Sequence, residues 1–491
     1  MYDVIVIGAG VVGSATAREL SRYKINALVL EKGHDVCAGA TKAGGGMIHA
    51  GFDPVPGSNK AKYNVEGCKL MYETCDELGV PYMKNGTTVF ATDDKSMQEL
   101  YKLQETATAN KVNVEIITGQ KLKEMQPDIG DDVVGILWAP DGGVTDPFEV
   151  TYALAENACV NGVEFIKDAE VTDIIKTDYG FEVKGADFAY QTKLIINCAG
   201  GHADVINNMV SEDTYKIIPR YGAHIVIDKK LAGRLNTTLI ETPHDLPGGG
   251  HTKGMAIIPT MGGTMILGCD ATEMIDPDHG AVPQDSLDQV IDYFKVAWKY
   301  LPVGKECEEF PVDKIISMFG GCRPHCDRND FIIGEPADAP GFINAGGIES
   351  PGFTSSIAIA KEVVRIACDK LKPEANDKFN PYRKARKPFR EMTPGEKKAA
   401  IESDPDYAKV VCRCEIVTEA EIRDAIRRPV GARSVAEVKL RTRAGMGRCQ
   451  GGFCSTRVVE ILAEELGVDQ SEITQCGGHS LILTAKTGTN L

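Results

Sequence analysis

Residues 3–31, DVIVIGAGVVGSATARELSRYKINALVLE, decide the fold. Residues 4–7 are a continuous β-branched run, which reads as a buried parallel strand. The run breaks at Gly8-x-Gly10-x-x-Gly13, and Val12, Ala15 and Leu20 follow in a helical pattern. Residues 27–30 form a second buried strand that ends on an acid, Glu31. Strand, glycine turn, helix and strand in this order make a βαβ unit with a dinucleotide fingerprint. Gly8 makes the tight turn, Gly10 lets the backbone approach a pyrophosphate, and Gly13 lets the helix pack close to the sheet. The helix N-terminus offers N–H groups and a positive dipole end to the phosphates. Glu31 stands where a carboxylate accepts hydrogen bonds from a ribose 2′-OH, and it disfavours the 2′-phosphate of NADP. A fold that begins at residue 3, with a second glycine-rich feature near Thr41, favours FAD among the dinucleotides.

Working outward, the 491 residues suffice for about three domain-sized units. An apolar share of 43% with 25% charged residues is ordinary globular composition. No apolar run reaches the roughly 18 residues of a membrane span. A net charge of −16 speaks against nucleic acid as the main partner. Fifteen cysteines, an odd number, with no signal peptide at the start of the sequence predict reduced thiols in the cytoplasm rather than a disulfide framework.

Beyond Glu31, Thr41 and the run Gly44-Gly45-Gly46 form a backbone-rich loop that can lie against a flat ring, and His49 follows closely. Residues 60–128 alternate amphipathic helices with short strands. A turn at 142–147 precedes a helix over 150–160, and 163–166 and 171–175 read as short strands. Residues 194–197 form a buried strand ending in Cys198-Ala199-Gly200-Gly201, small residues again positioned for a cofactor. From 215 to 274 the pattern is strand-rich, with antiparallel strands at 217–227, 255–259 and 264–268 and a glycine-laden loop at 243–253. A helix covers 286–300. Gly320-Gly321-Cys322-Arg323-Pro324 precedes a strand at 331–334. A buried strand at 342–345 then runs into Gly346-Gly347-Ile348-Glu349-Ser350-Pro351-Gly352-Phe353-Thr354 and a helix over 355–369. Strand, glycine turn and helix N-terminus here repeat the opening logic. Residues 370–408, rich in proline and both charge signs, read as a linker, with a helical excursion packed on the first domain as the alternative.

The last unit carries Cys412-x-Cys414, 34 further residues, then Cys449-x4-Cys454. Four thiolates in two close pairs are what a tetrahedral metal or an iron–sulfur cluster needs, and the spacing leaves zinc and iron–sulfur both open. Thr418 with Glu421 is a capping box. Cys454 opens a helix with Val458, Ile461, Leu462 and Leu466 on one face, which favours an anionic thiolate. Between Lys409 and Arg448 there are ten Lys/Arg against five Asp/Glu, a basic collar in an acidic protein.

With these residues in hand, a resemblance follows. GAGVVGSATARELS, the Glu31 acid, AGGGMIHAG, INCAGG and GGIESPGFTSSIAIA resemble the D-amino-acid-oxidase-like flavoproteins. GFDPVPGSNKAKYNVEG and SPGFTSSIAIA look most like L-2-hydroxyglutarate dehydrogenases. CRCE with MGRCQGGFC looks like the [2Fe-2S] domain related to bacterioferritin-associated ferredoxin, a domain that also ends the catalytic subunit of anaerobic glycerol-3-phosphate dehydrogenases. The resemblance implies an α/β chain: a Rossmann-like FAD-binding domain with an interleaved antiparallel-sheet substrate domain, plus a small helical [2Fe-2S] domain. The implied boundaries are 1–370 for the flavoprotein, with FAD-binding parts at about 1–80, 145–210 and 320–370 and substrate parts at about 81–144 and 211–319. A linker at 371–408, the cluster domain at 409–467 and a tail at 468–491 complete the chain.

By the same resemblance Gly8, Gly10 and Gly13 hold the FAD pyrophosphate and Glu31 the ribose. Val171 touches the adenine, and Thr41, Gly44, Gly45, Gly46, Gly200, Gly346, Gly347, Gly352 and Phe353 border the cofactor. Cys412, Cys414, Cys449 and Cys454 hold the cluster. The expected reaction oxidises a small anionic secondary alcohol by hydride transfer to flavin N5. His49 is the base, Arg323 the anion clamp, and Arg220 and Lys253 further anion contacts. Glycerol 3-phosphate is the leading substrate. A 2-hydroxy acid such as L-2-hydroxyglutarate comes next, then an amino acid or amine, and a flavo-iron–sulfur electron carrier without its own substrate is the reading from a different class. A cluster beside a flavin implies electrons leaving to partner subunits or a quinone-linked acceptor. The expected location is cytoplasmic, or peripheral to a membrane through those partners.

Overall fold

The computed structural model describes residues 1–126, 129–232, 235–245, 251–252, 254–300 and 309–485. Its first layer is an eight-stranded sheet whose centre is parallel: Glu164–Ile166, Ala27–Leu30, Tyr2–Ile7, Ala189–Asn197 and Phe342–Gly346 lie side by side in that order. Register pairs Ile7 with Leu30 on one side and Asn197 on the other. Alternation along Tyr2–Ile7 sends Val4 and Val6 to one face and Ile5 and Ile7 to the other. Val4 and Val6 are buried under the helices Val11–Leu20, Pro147–Val160 and Gly352–Leu371. Ile5 and Ile7 are buried under the hairpin Asp173–Thr177/Gly180–Lys184. Both faces are covered, which is why these strands are apolar throughout rather than alternating.

The second layer is a nine-stranded, mostly antiparallel sheet assembled from two separate stretches of chain. Thr87–Ala91, Glu115–Thr118 and Gly135–Ala139 come from the first stretch. Ile217–Ile227, Thr238–Glu241, Ala256–Pro259, Met265–Gly268, Thr272–Glu273 and Ile315–Cys326 come from the second. Tyr221, Ala223, Ile225 and Ile227 face the helix Gln284–Ala297, whose Val290 and Phe294 fill the core with Trp298. The opposite face carries Arg220, Gly222 and His224. The strand expected at 217–227 has those bounds; that expected at 171–175 begins later, so Val171 lies just before it, buried among Ile5, Leu28 and Ile174.

The stretch read as a linker is ordered along the first layer instead. Tyr23 bridges Ala375, the Arg22 carbonyl accepts from the Asn376 N–H, and the Phe379 ring lies under the Arg22 guanidinium at 4.5 Å. Arg383 is buried between Glu149 and Glu156, at 2.6 Å from each. Charges of both signs in this stretch are pairing groups for the body. Residues 246–250 and 253, within the expected glycine-rich loop, lie outside the described residues.

The last unit packs a short hairpin, Val410–Cys412 and Val417–Thr418, with the helices Glu419–Arg427, Val435–Thr442 and Ser455–Leu466 around Ile422, Val438, Ile461 and Leu462. The Thr418/Glu421 capping box forms. Arg441 docks the unit on the first layer: it donates to both oxygens of Asp35, at 2.6 and 2.7 Å, and lies 3.8 Å from the Tyr152 ring centroid.

Candidate active site and cluster site

Three glycines shape the nucleotide cradle. A Cβ on Gly8 (φ +99°) would stand 2.5 Å from the Cys198 carbonyl oxygen, and one on Gly13 would overlap the Gly8 carbonyl oxygen. Gly10 caps the helix with no side-chain hydrogen bond, so the helix end is open to an anion. Thr41 closes its rim: Thr41 Oγ1 accepts from the Val11 N–H at 3.2 Å. Glu31 is buried, and its carboxylate accepts from the Ala9 N–H at 2.6 Å and the Gly33 N–H at 2.7 Å. Burial pushes its pKa up against those two hydrogen bonds. Glu31 therefore braces the glycine turn. Gly200 (φ +57°) opens the turn that follows Ala189–Asn197. A groove lined by backbone, where side chains collide at two of three glycines, fits a dinucleotide.

The second loop system meets the first. Gly45 packs on Ile258, and Gly46 (φ +75°) lies against Thr145. The Thr354 hydroxyl accepts from the His49 N–H at 2.9 Å, and the Asn64 amide donates to the His49 carbonyl at 2.8 Å. The His49 Nε2 is 3.5 Å from Ser350 Oγ. The histidine is thus held by its backbone at both ends, between the Thr41–Gly46 loop and the Gly346–Phe353 turn. Gly346 and Gly347 are pressed against Tyr215 and Cys326, and Gly352 against Ile348, which fixes that turn. Phe353 follows in the first turn of its helix, half-buried against the helix-covered core of the first layer.

Arg323 lies on the sheet face that looks at this loop: a Cβ on its neighbour Gly321 would be 2.6 Å from Ala43 Cβ. Its guanidinium donates to the carbonyls of Asp270 (2.6 Å), Tyr221 (3.3 Å) and Arg220 (3.4 Å). Among the described residues no carboxylate pairs with Arg323. Register places Arg220 directly opposite it, and Arg220 reaches only Glu273, at 3.9 Å. Two like charges opposite each other on one face are unfavourable unless an anion joins them. Lys253 lies outside the described residues.

Sequence reasoning missed two groups here. Burial opposes ionisation of Cys269, yet Arg323 and His224 bring its pKa down to about 7. His325 and Lys60 both contact Glu349 Oε1, at 2.8 and 2.7 Å, beneath the Gly346–Phe353 turn; burial raises the Glu349 pKa but the contacts with Lys60 and His325 outweigh it and hold it below 4.5. The i, i+2 spacing of Arg323 and His325 on one strand was the only available signal.

At the cluster site Cys412 and Cys454 are buried while Cys414 and Cys449 are half-exposed. The sulfurs approach in pairs: Cys414 Sγ to Cys449 Sγ at 3.8 Å, and Cys454 hydrogen-bonded to Cys412. Backbone N–H groups of Gly445, Glu415 and Cys414 aim at the Cys412 sulfur, and those of Gly451, Gly452 and Phe453 at Cys449. Among the described residues no three His, Cys, Asp or Glu side chains form a single metal site. Two thiolate pairs with N–H groups aimed at the sulfurs fit two irons better than one tetrahedral zinc. Cys454 caps its helix as expected. Part of the basic collar is neutralised: Glu415 takes Arg443 at 3.1 Å and Arg390 at 3.3 Å, and Glu419 takes Arg423 at 2.7 Å and Arg457 at 3.0 Å.

Comparison with known proteins agrees with these geometries. The FAD dependent oxidoreductase family model matches residues 3–366, and the BFD-like [2Fe-2S] binding domain model matches 410–464. The chain belongs to the FAD-dependent oxidoreductases and carries a [2Fe-2S] domain at its C-terminal end. It is 43% identical to the glycerol 3-phosphate dehydrogenase of Caloramator mitchellensis over 99% of both chains. It is 30% identical to an Escherichia coli L-2-hydroxyglutarate dehydrogenase over 46% of this chain and 54% of that one. A solved structure of dithionite-reduced L-α-glycerophosphate oxidase from Mycoplasma pneumoniae with FAD bound superposes with a TM-score of 0.70 at 28% identity, covering 78% of this chain and 98% of that one.

Proposed function

We propose that the protein oxidises glycerol 3-phosphate to dihydroxyacetone phosphate and passes the electrons on one at a time. The observation that carries the substrate class is the Arg220/Arg323 pair, two cations in cross-strand register with no carboxylate on Arg323, facing the loop that holds His49. A phosphate seated there accepts from Arg323 Nη1, whose hydrogens the backbone carbonyls leave unused, and relieves the repulsion between the two arginines. The 43% identity to a glycerol 3-phosphate dehydrogenase over nearly the whole chain selects this anionic alcohol over a 2-hydroxy dicarboxylate.

Gly8, Gly10, Gly13, Glu31, Thr41 and the 44–46 and 346–353 turns would hold FAD, which when bound supplies the hydride acceptor. His49, fixed through its N–H and carbonyl, takes the proton of the substrate hydroxyl at its ring nitrogen, beside Ser350 Oγ. Arg323 orients the substrate by its phosphate, so the reacting carbon is presented in one pose. Cys412, Cys414, Cys449 and Cys454 would hold the cluster, which supplies a one-electron exit. The glycerophosphate oxidase structure is matched over 98% of its length and leaves part of this chain without counterpart. The [2Fe-2S] domain at 410–464 supports a dehydrogenase rather than an oxidase. No helix among the described residues is long and apolar enough to cross a membrane.

Anaerobic bleaching of the flavin by a panel of glycerol 3-phosphate, L-2-hydroxyglutarate and several amino acids is the test. Fast bleaching by glycerol 3-phosphate alone is expected. Preferential bleaching by L-2-hydroxyglutarate, or peroxide produced at full turnover rate in air, would reject the reading.

A further inference from the structure

The charges of the cluster domain are segregated. Between residues 409 and 448 Glu415, Glu419, Glu421 and Glu437 are buried and Asp424 is paired with Arg386 and Arg428, whereas Lys409, Arg413, Arg427, Arg433 and Arg448 are exposed. Lys409 pairs with Asp406 at 2.7 Å and Arg427 with Glu465 at 2.6 Å, while Arg413 and Arg433 have no carboxylate partner among the described residues. The acids are consumed by internal pairs such as Arg443–Glu415 and Arg423–Glu419. Over residues 409–467 eleven Lys/Arg stand against eight Asp/Glu, a net +3 in a chain of net charge −16, and the unpaired cations lie on the outside.

That face is centred on the cluster ligands. Arg413 lies between Cys412 and Cys414, Arg448 precedes Cys449, and Phe453 precedes Cys454. Phe453 is 83% exposed, and Val410 and Ile416 are each 44% exposed, apolar side chains that a folded domain has no internal reason to leave in water. Phe453, Val410, Lys409 and Arg413 line one shallow hollow of about 570 Å³. Cys414, half-exposed, directly follows Arg413 in the chain, and the body adds Lys229, whose Nζ donates to the Cys414 carbonyl at 3.3 Å. Arg448 reaches Asp228 of the body at 3.9 Å, and Asp313 is paired with Lys314.

We propose that this face docks an acidic one-electron carrier protein, an inference that rests on the proposed exit of electrons through the cluster. A small apolar centre ringed by cations is complementary to carboxylates around a partner's redox centre, and repulsion from the rest of the acidic molecule steers such a partner to this one face. Each glycerol 3-phosphate loses two electrons and two protons; two carrier molecules are each reduced by one electron, and the protons go to solvent.

The test uses the full-length holoenzyme with two one-electron acceptors of opposite surface charge, acidic plastocyanin and basic cytochrome c. Plastocyanin is expected to be reduced faster than cytochrome c at low salt. Its rate is expected to fall by about tenfold or more at high ionic strength, and likewise in R413E/R448E; F453A lowers it without changing the salt dependence. Flavin bleaching by glycerol 3-phosphate without carrier stays unchanged in all variants. Enzyme reduced with dithionite reads docking independently of substrate, so loss of substrate bleaching alone would reject the proposed function and leave the docking result standing. Equal rates with both carriers, or indifference to salt and to the charge reversal, would overturn the proposal. So would binding of the wild type to phosphatidylglycerol vesicles that R413E/R448E abolishes while plastocyanin reduction is unaffected, an outcome that assigns the face to a membrane surface.

Discussion

Replacing Arg441 by methionine should loosen the cluster domain from the flavoprotein body. Arg441 and Asp35 have side-chain exposures of only 4% and 9%, and the guanidinium also donates to the Val430 carbonyl at 2.6 Å and covers the Tyr152 ring. Removing one partner of a buried ion pair destabilises by about 3–5 kcal/mol, because the other charge stays behind uncompensated. Lys167 Nζ remains 3.8 Å from Asp35, so the low end, about 3 kcal/mol, applies here. That corresponds to roughly a hundredfold fall in the ratio of docked to undocked domain. Flavin bleaching by substrate should be preserved, while the appearance of reduced cluster, followed by electron paramagnetic resonance after rapid freezing, should lag behind it. Limited proteolysis near residues 404–410 should accelerate. Because the penalty is the stranded carboxylate, D35N/R441M should recover part of the loss. Unchanged proteolysis and cluster reduction in R441M, or strictly additive effects in the double variant, would refute this account of the interface.

Arg323→Gln is expected to raise KM for glycerol 3-phosphate by about 10- to 100-fold, the value of one charge-assisted contact of 1.5–3 kcal/mol, with a smaller change in kcat; steady-state kinetics reads the split. His49→Gln should lower kcat by about 10²- to 10⁴-fold with FAD still bound, as loss of a general base does. Gly13→Ala should yield protein without bound FAD that retains its iron, read by flavin fluorescence of the released supernatant after denaturation and by iron content, since its methyl overlaps a backbone carbonyl that cannot move aside. Glu349 has a depressed pKa in the folded state, so its contribution to stability is complete above 4.5 and is lost as pH falls through the folded value. Chemical denaturation of wild type and E349Q at several pH values should therefore show a constant gap near neutrality that narrows below pH 4.5.

Much of the cradle was legible because its chemistry is local. A glycine turn between a buried strand and a helix is encoded by adjacent residues, so Gly8, Gly10, Gly13 and the strand Ala27–Leu30 stand where the sequence predicts them. The pairing of Cys412-x-Cys414 with Cys449-x4-Cys454 was legible for the same reason, since each half is a short loop ending at a hairpin or helix. The strap at 372–391 was not. Its prolines and mixed charges satisfy a linker's composition, and only the positions of Glu149, Glu156 and Arg22 on distant helices show that those charges have partners.

From the amino-acid order alone came the strand–glycine turn–helix–strand crossover, a histidine after the second glycine loop and two close pairs of cysteines, because short-range backbone geometry and residue chemistry specify each of them. Tertiary structure alone decided that Arg220 faces Arg323, that His325 and Lys60 grip Glu349, and that Arg441 locks the cluster domain onto Asp35. Those relations depend on strand register and on helix packing between residues tens to hundreds of positions apart. No periodicity along the chain records which of several arginines will meet which carboxylate, or which will be left facing an anion.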